Sequence, residues 1–256
     1  MQTLSGRTCV MAGGTAGDGI DTVKELCRAG MHVVVVTHQA EKARVLVEEI
    51  NKLGYAGKCE AIGASEHGPA EEDPETYRYI AEKYGSVDVI ISNTGDTGTA
   101  KEMVDLSDEE LMKEVGHLVS GAFRMAVTAL PFLRASRAPR IILMSSVEGI
   151  YGGVHGSFAN AVAKGAVHAL AVNMAARLAA EKITVNCIAK GAIPRAEGIR
   201  SGNADPAAFL PYIPMGRLGT PQDLAQMVCY LASEEAGYVT GQTICLSGGL
   251  EFGKYE

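Results

Sequence analysis

The segment Gly13-Gly14-Thr15-Ala16-Gly17-Asp18-Gly19-Ile20 has residue types and spacing suited to holding a phosphate. It follows an apolar run at 8–12 and precedes a helical pattern at 20–29. Gly13 can take backbone angles closed to other residues, Gly17 lets the chain approach a pyrophosphate, and Gly19 lets the next helix sit close on the strand. The helix start adds free N–H groups and a partial positive charge. Together these point to a dinucleotide. A second locus is the helical pattern at 159–180, where Lys164 stands four residues after Asn160. An asparagine amide does not titrate in water, so it can orient a carbonyl oxygen by hydrogen bonding but cannot serve as a general acid. The hydroxyl of Ser146 can make a similar bond.

These residues need a scaffold, and the pattern supplies one. Apolar strand-like runs fall at 8–12, 32–37, 58–62, 87–92, 140–145, 184–188 and 242–246. Helical periodicity fills most of the intervals, as at 20–29, 41–53, 108–135 and 159–180. Strand–helix alternation with near-continuous apolar strands predicts a parallel sheet covered on both faces. There is no internal repeat, low-complexity tract or linker, so residues 1–256 read as one domain. The one long irregular stretch, 194–219, is rich in Pro, Gly and Arg and reads as a functional loop.

Composition narrows the class. Apolar residues make up 47% and charged residues 21%, values of an ordinary globular protein. A net charge of −7 disfavours nucleic acid, which calls for clustered Lys and Arg. No apolar stretch is long enough to span a bilayer. The N-terminus runs straight into a strand, so the expectation is a cytoplasmic protein without a signal peptide. The six cysteines are scattered and read as reduced, buried thiols, and no His/Cys/Asp cluster has metal-ligand spacing.

With its Gly-x₃-Gly-x-Gly turn the chain resembles the short-chain dehydrogenase/reductase family, and the resemblance runs over essentially the whole length. Ser92-Asn93-Thr94-Gly95 is similar to the family's Asn-Asn-Ala-Gly motif after the fourth strand. Ser145-Ser146-Val147-Glu148-Gly149 matches its Ser-Ser-x-x-Gly after the fifth. Asn186-Cys187-Ile188-Ala189-Lys190-Gly191 is similar to Asn-x₃-Pro-Gly, with lysine in place of proline. Met215–Pro221, Tyr238–Gln242 and Gly248-Gly249 fit the C-terminal segment. The resemblance implies a single doubly wound Rossmann-type α/β domain, with a seven-stranded parallel sheet in the order 3-2-1-4-5-6-7 and ligand outside the strands' carboxyl ends. It implies cofactor contacts from Gly13, Thr15, Gly17, Gly19, Ile20, His38, Gln39, Asn93, Gly95, Lys164, Gly191 and Ile193. It also implies homodimers or homotetramers built through the helices after strands four and five. The apolar Val115, Leu118, Val119 and Ala122 and the alanine-rich 161–180 suit that, or packing on the sheet.

Family members use an Asn-Ser-Tyr-Lys tetrad. Here Ser146 matches the serine and Lys164 the lysine, but Leu118, with His117 beside it, takes the first place and Asn160 stands where the tyrosine is expected. The adenine-contacting aspartate is replaced by Gly63 or Ala64, and the threonine after Ile193 by Arg195. Three readings follow. Another acid, Tyr151 or His155, replaces the tyrosine, or those two merely shape the pocket wall. Alternatively the substrate is a quinone, an enone reduced at carbon or an iminium, which needs hydrogen bonding rather than a proton donor. Or the chain is a non-redox enzyme or an inactive nucleotide-binding partner subunit. The end of the second strand, Thr37-His38-Gln39, has no acid until Glu41, which favours NADP(H) over NAD(H). Arg195, Arg200 and Arg217 bind an anion or solvate a lid; Glu148 reads as an exposed turn residue, His32 and His168 as structural. The acidic residues Glu71, Glu72, Asp73 and Glu75 read as a solvated helix start.

Overall fold

The apolar runs lie side by side as parallel strands. A computed structural model describes residues 4–64, 68–95, 101, 103–152, 157–194 and 205–253. Its strands are β1 (Thr8–Ala12), β2 (His32–Thr37), β3 (Cys59–Gly63), β4 (Val89–Ser92), β5 (Arg140–Ser146), β6 (Thr184–Lys190) and β7 (Thr243–Leu246). They form one seven-stranded sheet, β3-β2-β1-β4-β5-β6-β7, every pairing parallel. The helices are α1 (Asp18–Arg28), α2 (Ala40–Lys52), α3 (Pro74–Tyr84), α4 (Asp108–Val115), α5 (Gly121–Leu133), α6 (Glu148–Tyr151), α7 (Phe158–Leu178) and α8 (Pro221–Ala232).

Alternate strand residues point to opposite faces, and both faces are buried, so there are two cores. Val10, Val34, Ile90, Ile141 and Leu143 pack against Tyr77 and Ile80 of α3, Met125 and Ala129 of α5, and Ala163 and Val167 of α7. Met11, Val33, Val35, Ile91 and Ile142 pack against Val23 and Leu26 of α1, Leu46 and Ile50 of α2, and Leu224 and Val228 of α8. The amino ends of the strands are sealed by polar groups. There the Arg7 guanidinium donates to the carbonyls of Ala232 and Ala138, Arg140 Nε donates to Ser233 O, and Asp88 accepts from Thr8 N and Ser86 Oγ. Burial lowers the pKa of both guanidinium groups. A ligand site is left to the opposite, carboxyl end.

Three features of the structure refine the pattern. The helix expected over 108–135 is broken by a π turn, Gly116–Ser120, between α4 and α5. An extra residue in a turn leaves the average periodicity almost unchanged, so the pattern does not reveal it. Second, of the two roles open to Val115, Leu118, Val119 and Ala122, these residues take packing on the sheet: Leu118 and Ala122 are buried in the core with α5 and α7, and Val115 and Val119 pack against it. The exposed apolar residues of α4 and α5 are instead Met112, Phe123 and Val127. Third, the acidic run is less solvated than expected. Asp73 is buried as the N-cap of α3, accepting from Glu75 N, and Glu72 pairs with Arg124 at 2.6 Å. The cysteines are free thiols, Cys245 half-buried and the other five buried. Burial pushes Cys187 and Cys229 up to about 12, far from thiolate reactivity.

Candidate active site

The sheet order reverses between β1 and β4, and in open α/β sheets the ligand crevice lies outside the carboxyl ends of the strands at such a point. The glycine turn is shaped by what presses on it. Gly13 has φ of 78°, and a Cβ on it would lie 2.1 Å from the carbonyl oxygen of Asn93. A Cβ on Gly19 would lie 2.1 Å from the carbonyl oxygen of Gly13. So Gly13 admits the segment after β4 and Gly19 admits α1, while Gly17, φ 54° and ψ −135°, caps that helix in a conformation side chains disfavour. Thr15 is buried behind the turn and Ile20 half-buried.

Asn93 ties the segment after β4 to this turn, donating from Nδ2 to Gly13 O at 3.3 Å and to Asp18 Oδ1 at 3.1 Å. Lys190, the last residue of β6, completes the group: its Nζ lies 2.8 Å from Asp18 Oδ2 and 3.0 Å from Asn93 Oδ1. From sequence, Lys190 stands out only as a replacement for proline and Asp18 not at all. Their union joins residues separated by 172 positions, which no local pattern encodes. His117, exposed in the π turn, places Nε2 3.1 Å from Gly95 O.

The second half of the site is carried by β5, α6 and α7. Ser146 closes β5 opposite Lys190 in register, and its Oγ accepts from Glu148 N at 3.2 Å. Glu148 is half-buried at the start of α6, not fully solvated as expected. A Cβ on Gly149 would lie 2.5 Å from Gly165 N, so α6 and α7 approach at backbone distance. Ser157 caps α7, accepting from Asn160 N at 3.3 Å. Along one face of α7 then come Asn160, Lys164 and His168, a turn apart. Lys164 is buried, and its Nζ donates to Thr94 O and Met144 O, each at 3.3 Å, at the ends of β4 and β5. Asn160 Oδ1 and His168 Nε2 are buried with no hydrogen-bond partner among the described residues. Burial, then the Lys164 charge, holds the His168 imidazole below its ordinary 6.5.

Other candidates sit further out. Tyr151, at the end of α6, is exposed; partial desolvation, then Cys245 and Glu251, raises its phenol pKa. His155, Arg195 and Arg200 lie outside the described residues. His38 and Gln39 are exposed beyond β2, where Thr37 Oγ1 accepts from Gln39 N at 3.0 Å and Glu41 pairs with Arg44 at 2.7 Å. Gly191 N donates to Leu246 O at 2.9 Å, and Ile193 packs over Gly219. Arg217 is engaged by Asp223 at 2.7 Å and holds that carboxyl well below the usual range, as part of the cap of α8. His32 stacks on Tyr84 at 5.1 Å and accepts from Lys58 N, a structural role. Among the described residues no group of His, Cys, Asp and Glu could hold a metal, and no helix is long and apolar enough to cross a membrane.

A family model described as enoyl-(acyl carrier protein) reductase matches residues 14–251. A 3-oxoacyl-[acyl-carrier-protein] reductase of Thermotoga maritima is 32% identical over 96% of this chain and 98% of its own. The chain belongs to the short-chain dehydrogenase/reductase family. A tetrahydroxynaphthalene reductase of Pyricularia oryzae is 30% identical over 96% of this chain and 90% of its own. Among solved structures, a short-chain type dehydrogenase/reductase from Mycobacterium marinum superposes with TM-score 0.83 at 26% identity, covering 96% of each chain. The L-sorbose reductase of Gluconobacter frateurii, complexed with NADPH and L-sorbose, has the same fold, with TM-score 0.83 at 23% identity over 97% of each chain. As a short-chain dehydrogenase/reductase the protein falls in a class of NAD(P)-dependent oxidoreductases. The residues present suit such a cofactor: the turn excludes side chains at Gly13 and Gly19, and the Asp18 carboxylate in it is matched by the Lys190 ammonium.

Proposed function

We propose that the protein is an atypical NADP(H)-dependent short-chain reductase, with Asn160 in place of the family's catalytic tyrosine, acting on a small organic carbonyl, enone, quinone or imine. One observation carries this reading. Asn160 and buried Lys164 lie one turn apart on α7, and Asn160 Oδ1 has no partner among the described residues. An unpaired buried acceptor costs about 1–3 kcal/mol, which a donor on the ligand, such as a hydroxyl or an iminium N–H, recovers.

When bound, a nicotinamide dinucleotide supplies the hydride. In this reading the chain's own residues do the rest. Ser146 Oγ donates a hydrogen bond to the substrate's oxygen or nitrogen, the Asn160 amide fixes the substrate's orientation, and Lys164 holds the cofactor. Neither Ser146 nor Asn160 exchanges a proton near neutral pH. Substrates that accept hydride with hydrogen-bond stabilisation alone therefore suit the site best, which favours quinone, enone and iminium over a simple ketone. Tyr151 and His155 are the candidates for an added proton donor.

His38 and Gln39, exposed beyond β2 with no free acid before Glu41, support NADP(H) over NAD(H), since a 2′-phosphate meets no carboxylate there. Loop 194–219 shapes the substrate pocket in this reading; its described part carries a 3₁₀ turn, Pro206–Tyr212, and seats Ile213 against Gly248. The reductase names of the relatives and the NADPH complex of the L-sorbose reductase support a nicotinamide cofactor and a small-molecule substrate. The place of action is the cytoplasm.

Asn160→Tyr tests the reading. Restoring a phenol one turn before Lys164 should confer reduction of simple ketones with NADPH. No gain, in a folded variant, would favour a non-redox enzyme or an inactive nucleotide-binding partner subunit.

A further inference from the structure

The Asp18–Lys190–Asn93 group joins the glycine turn after β1 to the carboxyl end of β6 and the segment after β4. Asp18 is the first residue of α1, between Gly17 and Gly19 of the phosphate-binding turn. A carboxylate there suits the helix's own dipole. It is also a negative charge where a dinucleotide would bring two phosphates. Like charges at close range oppose binding, strongly so where water is partly excluded. The side chain of Asp18 is only 13% exposed and that of Lys190 20%, so solvent screens the pair weakly. Lys190 comes from β6, two strands beyond β4, and reaches past the end of β5 to meet Asp18 and Asn93. Asn93 in turn donates to both Asp18 and Gly13, so the ammonium is held at the turn by the segment after β4.

We propose that Lys190 is the counter-ion of Asp18, and that this neutralised pair is what allows the glycine turn to accept the diphosphate of a dinucleotide. The inference rests on the nicotinamide-cofactor reading above. It assigns Lys190 a positioning and charge-matching role: the ammonium acts through Asp18, not by reacting with substrate.

Its test is a double-mutant cycle on the full-length protein. NADPH is titrated into wild type, Lys190→Met, Asp18→Asn and the double variant, and adenosine serves as an uncharged probe. Unmasking Asp18 in Lys190→Met should weaken NADPH by about tenfold or more, the low end of coupling between close charge pairs. Asp18→Asn, which frees the ammonium, should tighten NADPH, and the double variant should return within about threefold of wild type, because the lost charges cancel. Adenosine affinity should move by less than about twofold, since it carries no phosphate. A merely structural role would weaken both ligands together.

Equal or tighter NADPH binding by Lys190→Met would overturn the proposal, as would the same loss whether or not Asp18 is charged. If Lys190→Met does not fold, Asp18→Asn still decides: weaker NADPH binding than wild type contradicts the counter-ion role. Failure of the wild type itself to bind either nicotinamide dinucleotide would remove the cofactor reading, and the inference with it. Binding by wild type with silent variants would remove the inference alone.

Discussion

Tyr151 and Asn160 divide the chemistry at the residue scale. A general acid contributes about 10²–10⁴-fold to rate. The Tyr151 phenol is exposed, and the groups acting on it are Cys245 and Glu251, which raise its pKa rather than lower it as an ammonium neighbour would. Tyr151→Phe should therefore leave turnover within about threefold if, as proposed, Ser146 and Asn160 hold the substrate; a loss of about 10²-fold or more would instead make Tyr151 the proton donor. Sequence alone singles out Ser146, Asn160 and Lys164 as candidates, because motif spacing reflects local geometry at the end of β5 and along α7. It does not locate Asp18 with Lys190. That contact depends on how strands far apart in the chain are ordered in the sheet, and it is visible only once β6 is seen to reach toward the turn after β1.

At the scale of elements, α7 carries a stability consequence as well as the site. Its His168 has a folded pKa below the ordinary 6.5, through burial and then the charge of Lys164 one turn away. As pH falls through about 6.5 the unfolded chain takes up a proton that the folded chain resists, so stability falls on the acid side and is kept above it. His168→Gln removes that linkage. The fall in Tm between about pH 7.5 and 5.5 should be smaller in this variant than in wild type. An equal or larger fall would show that His168 titrates freely in the fold. The strands were the most legible elements: β1 and β2 coincide with their apolar runs at 8–12 and 32–37. The pattern placed β6 only over 184–188, yet the strand continues to Lys190, because its pairing with β5 runs to Ser146 after the apolar run has ended. The π turn between α4 and α5 was hidden for a different reason, since one widened turn barely changes which face is apolar.

At the scale of the whole molecule, the sheet's two covered faces leave apolar side chains on the outer surfaces of α5 and α7. Phe123 is 48% exposed and Val127 46% on α5; Val162 is 42% and Val172 47% on α7. Both helices pack on the same face of the sheet through their inner sides. The family resemblance implies dimers or tetramers built through the helices after β4 and β5, and these exposed side chains lie on those helices. Wild type should sediment as a dimer or tetramer, and a Phe123→Lys, Val127→Lys double variant as a smaller species with unchanged circular dichroism. A wild type that sediments as a monomer would contradict the assembly.

Fold, turn and site converge on one requirement, that the crevice between β1 and β4 binds a nicotinamide dinucleotide. The most direct measurement is titration of the purified protein with NADPH and with NADH, followed by nicotinamide fluorescence or heat. The account predicts micromolar binding with NADPH the tighter ligand, in keeping with Thr37, His38 and Gln39 at the end of β2. Absence of binding by either dinucleotide at millimolar concentration would contradict it.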